Sequence, residues 1–144
     1  MLLYFLRRVE SREDAADLLG ETLLVLWRRS DRVPDDAEQA RMWLYGIARR
    51  VLATHRRGRG RGLALVDRLR DELAAHAPEP DEVTERVRAA VRSLPEKDRE
   101  LIGLVHWDGF TLAEAAAIVG VRAGATRMRY QRARDRLRAL LEQV

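Results

Sequence analysis

The sequence predicts an all-α protein with two small helical domains joined by a flexible linker. Apolar residues recur at the spacing of amphipathic helices, and the alternation expected of strands is almost absent. The segment 58–62, GRGRG, contains no apolar residue and interrupts this pattern. The final third of the chain predicts two helices joined by a tight turn. We place the domains at residues 1–57 and 82–144, with the linker at 58–81.

Three helices are predicted in the first domain. The first spans residues 2–9, and the second spans 12–29 behind Ser11, whose hydroxyl can cap it. The third spans 37–57, after a loop marked by proline and aspartate at 34–36. Apolar residues at helical spacing predict the buried stripes of the two longer helices. They are Ala16, Leu19, Leu23 and Leu26 on the second helix, and Leu44, Ile47 and Val51 on the third.

The linker prediction depends on glycine. Each glycine costs a helix about 1 kcal/mol relative to alanine, so the three glycines at 58–62 should end the third helix. Residues 63–77 have helical composition but weak periodicity, which leaves room for a short helix in the linker. The second domain is then predicted to begin with helices at 81–93 and 95–107. The latter opens on Pro95, because proline suits the first turn of a helix.

Residues 111–138 predict a helix-turn-helix. Thr111 followed by Glu114 is a capping-box pattern, and Gly120 can take the left-handed conformation that ends a helix. The second helix starts near residues 123–126. The predicted buried residues are Leu112, Ala115, Ala116 and Val119 on the first helix, and Tyr130, Ala133, Leu137 and Leu140 on the second. Arg127, Gln131, Arg134 and Arg138 fall on the other side. Because the second helix of this motif enters the major groove, the predicted partner is DNA.

Charge and composition narrow the function further. The 144 residues carry a formal net charge of +4, and both ends are basic, whereas residues 63–100 hold ten acidic against seven basic side chains. There is no cysteine, and the histidines at 55, 76 and 106 lack metal-ligand spacing. We therefore expect no metal, no cofactor and no catalytic activity. The opening apolar run is too short for a signal peptide or a membrane span, so we expect a soluble, cytoplasmic protein.

The second helix carries another candidate interface. Asp17, Glu21, Leu24 and Arg28 share a face that is not the predicted core stripe, and Trp27 lies on a neighbouring line. Carboxylates beside an exposed apolar patch are typical of a surface that docks on a partner protein. A solvated acidic face with Trp27 turned into the core fits the same residues. The pattern alone leaves both interpretations open.

The third helix predicts contact with single-stranded DNA. Residues 49–61 contain six arginines and no acid. Tyr45, Arg49 and Arg56 share a face, and Arg50 and Arg57 lie beside it. An aromatic ring among arginines suits stacking on bases and neutralisation of phosphates. The alternative is that Tyr45 belongs to the core and that the arginines only solubilise the helix.

Three blocks of the sequence together resemble the extracytoplasmic-function (ECF) sigma factors of bacterial RNA polymerase. Residues 14–29 resemble the family's polymerase-binding helix, and 43–57 resemble its promoter-melting and minus-ten helix. Residues 94–100 with 111–138 resemble the domain that recognises the minus-thirty-five element. The blocks occur in the family's order. The chain departs from the family pattern at Arg50, often asparagine in the family, and at Arg122, where the family has proline.

The resemblance implies a sigma factor that docks on RNA polymerase core and binds promoter DNA without chemistry of its own. It assigns three sets of residues. They are Asp17, Glu21, Leu24, Trp27 and Arg28 for polymerase; Tyr45, Arg49, Arg50, Arg56 and Arg57 for the minus-ten element; and Arg122, Thr126, Arg127, Met128, Arg129 and Arg132 for the minus-thirty-five element.

Within the last set, different roles are expected for different side chains. Thr126 would offer a hydroxyl to a phosphate, Arg127 and Met128 would meet base edges, and Arg129 and Arg132 would lie near the DNA backbone. The family also implies an anti-sigma factor as a partner. The alternative function is a helix-turn-helix transcriptional regulator that is not a polymerase subunit. The first domain discriminates between the two, because such a regulator needs neither the acidic and apolar face nor the arginine-rich helix.

Overall fold

The computed structural model describes residues 1–59 and 81–143, and the regular secondary structure of these residues is helical throughout. The helices are α1 (Leu2–Leu6), α2 (Arg12–Arg28), the 3₁₀ turn η1 (Ser30–Arg32), α3 (Ala37–Arg59), α4 (Glu82–Arg92), α5 (Glu96–His106), α6 (Leu112–Val119) and α7 (Ala123–Glu142). The predicted all-α class is confirmed. Apart from its ends, the predicted linker with its short helix lies outside the described residues, as does His76.

The chain divides into two compact units, unit 1 (Met1–Ala77) and unit 2 (Pro78–Val144). In unit 1, α2 packs against both α1 and α3. The Ser11 hydroxyl caps α2 as predicted, accepting a hydrogen bond from the Asp14 backbone N–H at 3.0 Å. The core of unit 1 is formed by side chains from α1, α2 and α3. They are Tyr4 and Phe5 of α1, Ala15, Leu18 and Thr22 of α2, and Tyr45, Ile47, Ala48 and Leu52 of α3.

The buried stripe of α2 lies about one position away from the predicted one. The prediction is wrong at Ala16, which is exposed, and at Leu23, which is 49% exposed. The core side of the helix instead includes Thr22, whose hydroxyl donates to the Leu18 carbonyl oxygen at 2.7 Å. A threonine satisfied within its own helix can be buried at little cost. Apolar periodicity missed this, because it counts a threonine as polar.

Helix α3 ends at Arg59, two residues beyond its predicted end, and includes Gly58. A single glycine costs about 1 kcal/mol, which does not stop a helix of 23 residues that packs against α2. Helix α1 differs in the other direction, since it ends at Leu6 rather than Val9.

In unit 2, α5 packs against α6 and α7, and α4 packs against α7. Leu101 and Leu104 of α5 are fully buried. A cluster of buried residues joins Leu94, Ile102 and Ala133, with Tyr130 and Leu137 packed against it. These contacts hold α7 along one side only, so its opposite side faces solvent.

The predicted helix-turn-helix is present. Thr111 and Glu114 form a reciprocal capping box at the start of α6, and Gly120 ends that helix with φ of 77° in the left-handed region. Helix α7 follows Arg122, which makes no side-chain cap. One residue of its predicted stripe is wrong: Leu140, near the end of the helix, is 37% exposed.

Candidate functional site

The solvent side of α2 carries the first candidate interface, which we call the α2 surface. It consists of exposed side chains that include every residue predicted to bind polymerase: Asp17, Glu21, Leu23, Leu24, Trp27 and Arg28. The Trp27 side chain is 80% exposed and Leu24 is 55% exposed. Leu23, which the sequence assigned to the core, adds to the apolar area. Trp27 is therefore not a core residue, which removes the interpretation that turned it into the core.

The composition of the α2 surface is that of a protein-binding surface rather than of a fully solvated one. A contiguous apolar patch beside carboxylates is uncommon on a monomer, and a tryptophan buried in an interface is among the side chains that contribute most to binding. Asp17 and Glu21 lie one turn apart on the same side as Leu24. They add a negative rim, which favours a partner that offers basic side chains around an apolar centre.

The second candidate interface is the group of predicted minus-ten arginines on α3, which we call the α3 arginines: Arg49, Arg50, Arg56 and Arg57. All except Arg49, which is half-buried, are exposed. The Arg56 guanidinium donates from Nη2 to the Arg8 carbonyl oxygen at 3.4 Å. The Nε of Arg49 is buried and finds no hydrogen-bond acceptor among the described residues. The Arg57 Nη2 donates to Thr54 Oγ1 at 3.2 Å. An anion can therefore reach this group through the exposed guanidiniums of Arg50, Arg56 and Arg57, and not through the buried Nε of Arg49.

Tyr45 is not available for base stacking in this structure. Its side chain is 8% exposed, and its ring meets that of Tyr4 edge-on with centroids 5.4 Å apart. The guanidinium of Arg41, which is also on α3, lies 5.3 Å from the centroid of the Tyr45 ring. Because Tyr4 of α1 packs against this ring, the tyrosine belongs to the core of unit 1. The sequence prediction for Tyr45 is corrected accordingly.

The third candidate interface is the solvent side of α7 with the residue that precedes it, which we call the α7 surface: Arg122, Arg127, Met128 and Arg132. All four side chains are exposed, as predicted, and Met128 is 65% exposed. Thr126 is different. It is 5% exposed, and its hydroxyl donates to the Arg122 carbonyl oxygen at 2.8 Å. The predicted phosphate contact of Thr126 is therefore corrected to a structural role in the first turn of α7.

Arg129 also differs from its predicted role. Its Nη1 donates to Asp98 Oδ1 at 2.8 Å, and the two side chains are 34% and 16% exposed. The ion pair joins the first turn of α5 to the second turn of α7 and directs Arg129 towards its own domain. Sequence reasoning missed Asp98, because the two residues are 31 positions apart. Helical spacing detects only neighbours on one helix.

Comparison with known proteins connects these surfaces to a family. The ECF RNA polymerase sigma factor SigF of Caulobacter vibrioides is 37% identical over 144 residues, covering 98% of this chain and 77% of that protein. The chain belongs to the ECF RNA polymerase sigma factors. In this sigma factor, sigma-70 region 2 matches residues 1–62 and sigma-70 region 4 matches residues 84–137.

Two further proteins to which this chain is similar agree with the assignment to this family. The ECF RNA polymerase sigma factor SigL of Mycobacterium tuberculosis is 27% identical over 146 residues, covering 98% of this chain and 82% of that protein. A solved structure of the sigma factor RpoE, in complex with the anti-sigma factor NepR from Bartonella quintana, matches with a TM-score of 0.72 and 27% identity. That match covers 99% of this chain and 89% of the solved chain.

The match to region 2 bears on the choice that the helix-turn-helix left open. It spans the α2 surface and the α3 arginines, which a transcriptional regulator outside the polymerase has no need of. The sigma-factor function is supported and the regulator is not. Sigma factors are transcription initiation factors rather than enzymes. Within residues 1–59 and 81–143, no cluster of side chains suits a metal ion, and no helix is long and apolar enough to cross a membrane.

Proposed function

We propose that this chain directs RNA polymerase core to specific promoters and initiates transcription there. Unit 1 docks on the core enzyme through the α2 surface. The observation that carries this proposal is the exposure of Trp27 and Leu24, at 80% and 55%, inside the segment that matches sigma-70 region 2. An apolar patch of this kind is stabilised when a partner covers it.

The same unit holds the opened minus-ten strand through the α3 arginines. Guanidinium groups neutralise phosphates and stack on unpaired bases. Support comes from the exposure of Arg50, Arg56 and Arg57. Tyr45 takes no part, because it is buried against Tyr4. Stacking on the bases would then depend on arginine rather than on an aromatic ring.

Unit 2 recognises the minus-thirty-five duplex through the α7 surface. Support comes from the helix-turn-helix geometry and from four exposed side chains along α7, three of them arginines. Thr126 and Arg129 are left out of this interface, since one is buried and the other is paired with Asp98. The domain limits that we propose for these two functions are residues 1–57 and 82–144.

The decisive experiment is transcription in vitro with core polymerase on a random promoter library. We expect transcripts whose start sites follow a shared pair of motifs, one near minus ten and one near minus thirty-five. Core polymerase without this chain is the control, and it should give no enriched motif. If the chain yields no motif beyond that control, the proposed function is wrong.

An anti-sigma factor is a further proposed partner. The solved relative RpoE is in complex with the anti-sigma factor NepR, and it matches 99% of this chain. The test is purification of the chain from the cells that produce it, followed by the same transcription assay before and after its copurifying proteins are removed. A rise in transcription on their removal supports the partner. Equal transcription in both samples contradicts it.

A further inference from the structure

A methionine, Met128, lies among arginines on the exposed side of α7. Thr126, Ala133 and Leu137 define the side of α7 that is buried or half-buried against the rest of unit 2. At 100° per residue, Met128 lies about half a turn around the helix axis from that side. Its side chain is 65% exposed, so a long apolar group projects from the side of the helix that faces away from unit 2.

The neighbours of Met128 on the adjacent turns are small or polar. One turn earlier lies Gly124, around whose Cα there is open space where a side chain would be. On the following turn lies Gln131, whose Nε2 donates to Asp135 Oδ1 at 3.1 Å. The absence of a side chain at 124 lets a partner approach the helix backbone closely. The helix is therefore narrow on the amino-terminal side of Met128. The carboxylate of Asp135, two turns further on, is held by the hydrogen bond from Gln131.

Positive charge flanks Met128 on both sides. Arg127 projects to one side of Met128 and Arg132 to the other, and both are exposed. Arg129 does not compete for the centre, because Asp98 holds it at 2.8 Å. In a major groove, phosphates border the two sides and base edges form the floor. The arrangement matches that pattern, with arginines directed to the two backbones and methionine to the floor.

We propose that Met128 determines promoter specificity by covering the C5 methyl group of a thymine in the minus-thirty-five element. This inference rests on the proposed function of unit 2. Thymine is the base that offers an apolar group in the major groove, and apolar side chains recognise it there. Methionine has no strong hydrogen-bonding group and adapts its shape readily, so it fits a methyl group better than a polar base edge.

The test replaces single thymines of the minus-thirty-five element by uracil, which removes the methyl group and keeps every hydrogen-bonding group. The probe is the promoter selected in the random-library experiment, bound by core polymerase with this chain. At one thymine, we expect the uracil substitution to weaken promoter binding about fourfold, the factor for one buried methyl group. Met128→Ala should remove that difference, so that the thymine and uracil promoters bind equally.

Two further variants separate a base contact from a general loss of affinity. Met128→Leu keeps an apolar side chain and should keep the preference for thymine over uracil at that position. Arg132→Ala should weaken binding to both promoters by the same factor. Because Met128 and Arg132 are exposed, none of these changes removes a core side chain.

Two results would overturn the inference. One is a selected minus-thirty-five element that contains no thymine. The other is a uracil effect that is as large with Met128→Ala as with the unchanged chain at every thymine. Either result leaves initiation itself intact, whereas failure of the proposed function would appear earlier, as a library without any enriched motif.

Discussion

The α2 surface of unit 1 and the α7 surface of unit 2 occupy equivalent positions on their helices but differ in chemistry. Each lies opposite the buried stripe of an amphipathic helix. On α2, the exposed centre is Leu24 and Trp27 with Asp17 and Glu21 beside them. On α7, the exposed centre is Met128 between arginines. The first surface is apolar with a negative rim, and the second is mostly positive with a single apolar side chain.

This difference separates two sources of binding free energy. Covering Leu24 and Trp27 removes apolar area from water, which is nearly independent of salt. Pairing arginines with phosphates releases counterions, which makes binding weaken steeply as salt increases. A chain that needs one protein partner and one DNA partner can thus keep its two interfaces from competing for the same ligand.

The largest expected effect is on docking. Leu24→Ala and Trp27→Ala should each weaken binding to core polymerase by about 30-fold, as expected for apolar hot-spot residues that contribute about 2 kcal/mol or more. The measurement is a titration of labelled chain with core enzyme. Leu3→Ala is the matched control, since Leu3 is a leucine of the same unit that is 61% exposed on α1. Equal loss in the control and the two variants would show that the α2 surface is not the docking site.

A smaller effect is expected in the salt dependence of DNA binding. Arg132→Ala should lower affinity for all promoter sequences alike and reduce the slope of log K against log salt by about 0.9, the value for one phosphate contact. Leu24→Ala should leave that slope unchanged. The measurement is promoter binding by the chain with core polymerase at several salt concentrations. If the slope for Arg132→Ala equals that of the unchanged chain, this arginine lies away from the phosphates. The chemical difference between the two surfaces would then be smaller.

The smallest effect is expected at the ion pair behind the α7 surface. Asp98→Ala leaves the half-buried Arg129 without its partner and should destabilise unit 2 by about 1 kcal/mol, at the upper end for an ion pair that solvent still reaches. Thermal unfolding measures this. Glu96→Ala removes an exposed acid from the same turn of α5 and serves as the control. Asp98→Ala should lower the stability of unit 2 more than Glu96→Ala does. When Arg129→Ala is already present, the two substitutions should lower it equally.

Local signals predicted the helices and the capping residues of α2 and α6. The capping box of Thr111 and Glu114, the Ser11 cap and the left-handed Gly120 are each fixed by a few neighbouring residues, and all three are present. The exposed Asp17, Leu24 and Arg28 were also found from helical spacing alone. Failures occur where a second element decides. Tyr45 is buried because Tyr4 of α1 packs on it, although its position among arginines suggested a base contact.

The helical class, the order of the helices, the helix-turn-helix and the family can all be read from the amino-acid order, because each depends on contacts within one turn or on a motif that runs along the chain. Which of the side chains on these helices are accessible depends on the packing of helices against one another. Packing buries Thr22, Tyr45 and Thr126, pairs Arg129 with Asp98, and leaves Met128 exposed on α7. The reason is physical: periodicity gives the direction of a side chain around its own helix, but not which neighbouring helix covers it.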